Sequence, residues 1–128
     1  MLEQNFGDTS SLIALLATAA RTASGQSVAV ETRGYVGDLV FILDCAAGTG
    51  TAPTLDVVVQ EADSASGPWT NVTNGAFAQV TDAGASMQKL SVNVDSIKPF
   101  TRLDYAITGT TPSFTFSVNA IGLKQYLA

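Results

Sequence analysis

Turn-forming residues recur in this sequence at intervals of roughly ten residues, and this spacing limits the possible folds more than any other feature. Each turn segment is rich in Gly, Pro, Ser, Asn or Asp, which adopt the backbone conformations that a chain reversal requires. The segments are AAGTGTAP, DSASGP, TNG, TDAGAS, SIKP and TGTTP. About seven or eight short strands at this spacing predict an all-β fold, a single antiparallel β-sandwich or barrel. Its topology, jelly-roll-like or immunoglobulin-like, stays open, although the paired cysteines of a true immunoglobulin domain are absent.

Alternation of apolar and polar residues identifies the inward face of each expected strand. In TLDVVVQEA, Leu55, Val57 and Val59 share one face, and Gln60 lies on the other. In FTRLDYAIT, the apolar residues again share a face, and Arg102 takes the opposite one. We therefore expect these strands to bury one face and expose the other.

Two segments depart from this alternation. The run at residues 39–43 in DLVFILDC is continuously apolar, so we expect a strand that is buried on both faces, or nearly so. In SFTFSVNAIGL, the alternation holds from Phe114 to Ala120 and is then broken by Ile121 and Leu123. That change of parity predicts a bulge or a strand end near Gly122.

The N-terminal segment is apolar but ambiguous. We expect residues 1–25 to form an arm and residues 26–128 to form the β-sandwich. The stretch LIALLATAA fits one face of a helix of about three turns or a short strand, and we favour an extended or mixed arm. An apolar arm needs a cover, which is either the chain's own sheet or a neighbouring subunit. In the second case the contact residues would be Leu12, Ile13, Leu15 and Leu16.

Charge and composition limit the possible partners. Charged residues make up only 13% of the chain, whereas about a quarter is typical of a soluble domain. Such a surface suits close packing against other subunits or an ordinary Ser/Thr-rich β-domain. The net charge is −5 and the basic residues are scattered, which argues against a nucleic-acid partner and against an anionic membrane. The apolar N-terminal stretch is too short to span a bilayer, and no secretory signal is visible.

The chain offers little for catalysis, because it has no histidine and a single cysteine, Cys45. Ser-His-Asp and Cys-His sets are therefore impossible, and the common zinc sites lack ligands. Cys45 shares strand parity with Phe41 and Leu43, which predicts a small buried residue rather than a nucleophile. We expect no enzyme activity, no cofactor and no metal site.

The only tryptophan, Trp69, follows the expected turn in EADSASGPWTNV. A ring at the start of a returning strand typically packs on the sheet edge or covers the end of the core, and it also qualifies as an anchor for a subunit contact. The alternative function is a carbohydrate-binding module, or a module associated with a tail, neck or fibre. Its candidate stacking rings are Trp69, Tyr35 and Tyr105, although Tyr105 falls on an apolar strand face.

Three stretches of the sequence resemble small virion proteins of tailed bacteriophages. They are ATAARTASGQSVAVETRGYVGDLVFILD, TAPTLDVVVQEADSASGPWTNV and FTRLDYAITGTTPSFTFSVNAIG, which fall within residues 17–123. The shared pattern is a valine-rich strand, a tight polar turn before a Trp-Thr pair, and a Gly-Thr-x-Pro-Ser-Phe turn before the last strand. These are strand and turn motifs rather than catalytic signatures.

The resemblance implies a capsid-associated β-sandwich, most like the head decoration or cement proteins. A protein of this kind binds the outside of the shell and stabilises it, often as a trimer at local threefold positions. The expected partners are therefore the major capsid protein and further copies of the chain, with no nucleic acid and no membrane. The expected location is the capsid surface of the virion, after assembly in the host bacterial cytoplasm. Leu12, Ile13, Leu15, Leu16 and Trp69 are the candidate protein-contact residues, and the resemblance implies no catalytic residue.

Overall fold

The structure, a computed structural model, describes residues 10–124 and is built from antiparallel β-strands. A short 3-10 helix, Val94–Ser96, is the only helix among these residues, and no helix there is long and apolar enough to cross a membrane. The strands are β1 (Ser10–Arg21), β2 (Gly25–Gln26), β3 (Val30–Glu31), β4 (Tyr35–Cys45), β5 (Thr49–Ala62), β6 (Thr70–Ala76), β7 (Ser86–Asn93) and β8 (Phe100–Lys124). The prediction of an all-β, antiparallel sandwich is confirmed.

Strand β8 is shared by the two sheets of the sandwich. Its C-terminal half lies between β1 and β4, and β7 pairs with the other edge of β4. We call this sheet A. The N-terminal half of β8 lies between β5 and the short strands β2 and β3, and β6 pairs with the other edge of β5. We call this sheet B.

A bend in β8, rather than a chain reversal, carries the strand from sheet B to sheet A. The sequence predicted a turn at TGTTP between two strands, whereas the structure has one strand that bends there. Gly109 and Thr111 adopt positive φ angles of 124° and 47°. Gly109 also packs against the neighbouring β5, where a Cβ atom would lie 2.9 Å from the carbonyl oxygen of Ala52. The register between β5 and β8 shifts in the same region, so both strands turn the corner together.

The hydrophobic core lies between the sheets and follows the predicted alternation. Sheet B contributes the inward residues of β5, among them Leu55, Val57 and Val59, which are at most 1% exposed. Sheet A contributes three fully buried phenylalanines, Phe41, Phe114 and Phe116. Because full burial of one such side chain contributes roughly 1.5–3 kcal/mol, these layers are the main source of stability.

Residues 10–21, expected as part of an N-terminal arm, form the edge strand β1 of sheet A itself. They pair with β8 from Ser10 opposite Leu123 to Arg21 opposite Phe114. Irregularities between Ala14 and Ala19 turn both Leu15 and Leu16 inward, where they are 6% and 7% exposed. The cover for this apolar segment is therefore the chain's own sheet. Residues 1–9 of the expected arm lie outside the described residues.

The predicted irregularity near Gly122 is present on one side of β8. In the ladder with β4, the register shifts between Val36 and Val40, which pair with Leu123 and Ile121 on either side of Gly122. In the ladder with β1, the pairing runs without interruption through Gly122, and β8 extends to Lys124. Gly122 faces inward because Leu39 and Tyr35 fill the space that its side chain would take. Ile121 consequently points away from the core.

Candidate interaction surfaces

The outer face of sheet A is apolar. The strand register aligns Leu12 of β1, Ile121 of β8 and Val40 of β4 in one row. The next row contains Ala14, Asn119, Ile42 and Lys89. We define the apolar face as the outward residues of these strands that carry hydrocarbon side chains: Leu12, Ala14, Val40, Ile42, Met87 and Ile121.

Solvent reaches much of this apolar face. Leu12 is 77% exposed and Met87 is 73% exposed. A shallow groove of about 430 Å³ runs between Leu12, Ile42 and Ile121, and a second of about 390 Å³ lies beside Met87 and Lys89. Ile42 lines both grooves, so the two form one continuous apolar surface.

Strand β4 is covered on one face only. The sequence predicted burial of residues 39–43 on both faces, or nearly so, and the structure buries Leu39, Phe41 and Leu43 while leaving Val40 and Ile42 partly exposed. Full burial thus holds for the inner face alone, because nothing among residues 10–124 packs over the outer face of sheet A. An apolar run typical of a doubly buried strand thus lies on a surface.

The predicted contact residues of the N-terminal segment divide between surface and core. Leu12 points outward on the apolar face. Ile13 is half-buried and packs against the core. Leu15 and Leu16 belong to the core and are not accessible to a partner. Of these four, Leu12 is the residue that offers most of its side chain for a contact.

Trp69 lies on the outer side of sheet B, after the reversal that joins β5 to β6. Ser64 closes this reversal with two hydrogen bonds to Gly67, at 3.0 and 2.8 Å. Trp69 is half-buried, and the Arg102 guanidinium carbon lies 4.6 Å from the centre of its ring. The ring therefore packs on the sheet surface against an arginine instead of entering the core.

A row of hydrogen-bonded side chains crosses sheet B beside this ring. Arg102 Nε donates to Gln60 Oε1 at 2.9 Å, and Gln60 Nε2 donates to Asn71 Oδ1 at 3.0 Å. These residues lie on three adjacent strands, β8, β5 and β6, at matching positions of the ladder. We call Trp69, Arg102, Gln60 and Asn71 the arginine–tryptophan cluster. Sequence alternation placed Arg102 outward but carried no signal for its stacking partner.

The rest of the outer face of sheet B is mostly polar, and Val58 and Ala106 are its apolar members at the paired positions of β5 and β8. Gln26 Nε2 donates to Asp104 Oδ1 at 2.8 Å, and Gln79 Nε2 donates to both carboxylate oxygens of Asp56 at 3.1 and 3.2 Å. The hydroxyls of Thr54 and Thr108 also form a hydrogen bond. The two outer faces of the sandwich therefore differ in chemistry, with hydrocarbon on sheet A and amides and carboxylates on sheet B.

Cys45 is buried, as the sequence predicted, with 1% of its surface exposed. Burial, with a smaller effect from the charge of Asp44, raises the pKa of its thiol to about 11. The thiol is thus protonated at neutral pH and is a poor nucleophile. No group of three His, Cys, Asp or Glu side chains within residues 10–124 is placed to hold a metal ion.

A further cavity of about 300 Å³ lies at one end of the sandwich, and Tyr35 forms part of its wall. Tyr35 is one of the candidate stacking rings. Another, Tyr105, is half-buried and packs edge-to-face on Phe116 with ring centres 5.4 Å apart. Neither ring lies in the arginine–tryptophan cluster, so the three aromatic candidates do not form one platform.

Comparisons with known proteins bear on the fold. No protein-family model matches the chain, and no curated protein matches it. A chain of the infectious bursal disease virus VP2 subviral particle is similar in structure, with a TM-score of 0.60 and 11% identity over 90% of this chain. The structure of the Gx strain of the same virus gives a TM-score of 0.56 and 12% identity over 93% of this chain. The chain spans only 32% and 33% of those viral chains.

The PBSX exported protein XepA is similar as well, with a TM-score of 0.55 and 17% identity over 99% of this chain and 41% of that protein. At such identities the likeness concerns the fold alone. The chain is a β-sandwich module whose architecture recurs in a viral particle protein and in an exported protein.

Proposed function

We propose that this protein is a structural virion protein of a tailed bacteriophage, a head decoration protein that binds the outside of the capsid and stabilises it. The observation that carries the proposal is the exposed apolar face of sheet A. Hydrocarbon side chains gain roughly 25 cal/mol for each Å² that a partner removes from water. A contiguous apolar surface of this kind is typical of a protein-interaction site.

The composition of β4 supports a protein partner for this face. Its continuous apolar run is typical of a strand with packing on both sides, and the single chain supplies packing on one side. A shell subunit placed over Val40 and Ile42 would complete that packing. The major capsid protein is the partner that the sequence resemblance favours, and the shared fold with a viral particle protein is consistent with a virion role.

Stabilisation of a shell requires no catalytic group. A protein that binds the assembled shell and not its dissociated subunits shifts the equilibrium towards the shell by mass action. Many symmetry-related copies, or a trimer that bridges neighbouring subunits, add avidity even when each contact is weak. The net charge of −5 suits a position on the outside of the shell, away from packaged DNA.

The test compares two exposed apolar residues of sheet A with one exposed apolar residue beside sheet B. Shells of the phage that encodes this protein, prepared without it, are mixed with the purified chain and sedimented. We expect the double variant Leu12→Asp, Met87→Asp to lose at least about tenfold in shell affinity, because it puts charge on the two most exposed large residues of the apolar face. The matched control is Val28→Asp, since Val28 is 63% exposed and borders sheet B.

Equal sedimentation of the double variant and the unmodified chain would exclude the apolar face as the contact. Failure of the unmodified chain to sediment with any shell would refute the decoration role itself. Light scattering of the free protein tests the expected trimer separately, and electron microscopy of the virion locates the chain on the capsid, tail or neck.

A further inference from the structure

Arg102 is a cation held in one position, and it forms no ion pair with any carboxylate within residues 10–124. Its Nε is engaged by Gln60, and the plane of its guanidinium lies near the Trp69 ring. None of the hydrogen bonds or ion pairs within residues 10–124 uses its two terminal nitrogens. The chain has 11 acidic and 6 basic residues, and the two terminal nitrogens of this arginine are nonetheless available to a ligand from outside.

The cluster fixes the direction of those open nitrogens. Gln60 accepts from Arg102 Nε with its carbonyl oxygen because its own amide nitrogen is committed to Asn71 at 3.0 Å. The Trp69 ring also restrains the guanidinium, whose carbon lies 4.6 Å from the centre of the ring. The open nitrogens of Arg102 are thus positioned before any ligand arrives, which lowers the entropy cost of binding. Two parallel N–H donors of a guanidinium match the two oxygens of a carboxylate.

The surroundings of the cluster favour a hydrophilic ligand over a protein surface. Three of the four large hydrophobic residues exposed within residues 10–124, Leu12, Val36 and Met87, belong to strands of sheet A. Sheet B carries amide, hydroxyl and carboxylate groups instead. The centre of a protein–protein contact needs a dry apolar patch, whereas on this outer face Val58 and Ala106 alternate with the carboxylates of Asp56 and Asp104.

We infer that the arginine–tryptophan cluster binds an acidic saccharide, with the carboxylate of a uronic or sialic acid on Arg102. The amide nitrogen of Asn71 and the indole Nε1–H of Trp69 have no acceptor within residues 10–124, and both donate to sugar hydroxyls in this arrangement. The inference concerns sheet B and does not depend on the shell contact proposed for sheet A. It adds a surface-glycan site to a chain that also docks on a protein.

The test is a titration of the ¹⁵N-labelled full chain followed by two-dimensional NMR. The acidic probes are short oligomers of galacturonate, glucuronate and N-acetylneuraminate. A glucose oligomer of equal length and a pentaglutamate peptide are the comparisons. We expect at least one acidic oligomer to shift the Trp69 indole and the side-chain amides of Gln60 and Asn71. The glucose oligomer should leave these signals unchanged, and added salt should weaken the binding.

Three variants assign the effect to Arg102. Arg102→Gln should lower the affinity for the acidic oligomer by at least about tenfold, because the charge-assisted hydrogen bonds are lost. Arg102→Lys retains the charge but not the planar pair of N–H donors, and its affinity for the acidic oligomer should also fall several-fold. Arg33→Gln is the matched control, since Arg33 is exposed and already paired with Glu31 at 3.1 Å. Its affinity should stay within about twofold of the unmodified chain.

The inference is overturned if no acidic oligomer shifts the Trp69 indole, or if the glucose oligomer shifts it equally. Tighter binding of pentaglutamate than of every saccharide would assign the cluster to a protein partner and would also overturn it. Well-dispersed spectra check that each variant is folded, and Arg102→Lys remains informative should Arg102→Gln fail to fold. None of these outcomes involves shells, so the test is separate from that of the decoration role.

Discussion

Arg21 Nη1 donates to the carbonyl oxygen of Phe116 at 2.8 Å and fastens the edge strand β1 to β8. Its Nη2 donates to the carbonyl oxygen of Ala17 at 2.7 Å, where the register of β1 shifts. The guanidinium carbon also lies 4.7 Å from the centre of the Phe116 ring. One side chain therefore links β8 to the irregular segment of β1.

Replacement of this arginine should loosen β1. We expect Arg21→Ala to lower the free energy of unfolding by about 1.5–3 kcal/mol, the range for hydrogen bonds to a charged group. Arg33→Ala is the control and should cost less than about 1 kcal/mol, because its ion pair with Glu31 is exposed. Urea unfolding followed by circular dichroism measures both values. Equal losses in the two variants would contradict the role assigned to Arg21.

Replacement of two leucines of β1 should change the free energy of unfolding by very different amounts. Leu15→Ala should lower the free energy of unfolding by about 2–5 kcal/mol, because it opens a cavity in the core. Leu12→Ala should change it by less than about 0.5 kcal/mol, since Leu12 is 77% exposed. The comparison by urea unfolding tells whether β1 is part of the sandwich, because a loosely attached arm would make both variants nearly neutral.

The corner of β8 depends on a glycine. Gly109→Ala should destabilise the fold by more than about 1 kcal/mol, because φ is 124° and the added Cβ would meet the backbone of β5. Gly84→Ala is the matched control, since nothing lies within 4 Å of its added Cβ and its φ is not positive. That variant should be neutral or slightly stabilising. A thermal melt of each variant checks the prediction, which fails if the two melt alike.

The buried thiol should make stability sensitive to alkaline pH. The pKa of Cys45 is about 11 in the folded chain, compared with 9.0 for a thiol exposed to solvent, as in the unfolded chain. A raised pKa means that the contribution of the thiol is fully present below pH 9 and is lost as the pH rises towards 11. We expect the stability difference between the unmodified chain and Cys45→Ala to shrink over this window in urea titrations. A difference that stays constant from pH 8 to 11 would contradict the shift.

Local sequence signals predicted the inward faces well. The alternation at Leu55, Val57 and Val59 needs no tertiary information, because side chains of a strand alternate between faces whatever it pairs with. The burial of Cys45 followed from the same parity. These predictions concern which side of a strand a residue takes, and the period of the backbone decides that.

Predictions that depended on a neighbouring strand were less successful. The sequence placed a turn at residues 108–112 and an irregularity near Gly122. The structure bends β8 at the first site, and at the second the extra residues of the irregular ladder belong to β4. Glycine and proline mark a change of direction, but the pairing partner decides whether that change is a reversal or a bend. The continuity of β8 follows from its ladders with β5, β1 and β4.

The two candidate surfaces could likewise be predicted from the sequence only in part. The apolar runs at residues 39–43 and 120–123 are visible in the sequence, yet only the register shows that Val40 and Ile121 lie side by side on an open face. Likewise Trp69 and Arg102 are 33 positions apart, and only the folded sheets bring the ring and the guanidinium to 4.6 Å.

By itself the sequence determined that the chain is an antiparallel β-sandwich without histidine chemistry, because strand period, turn residues and composition are local properties. The tertiary structure alone decided which apolar residues remain uncovered and which distant polar residues meet. Those outcomes depend on strand order and register, and one residue of register moves every side chain to the opposite face.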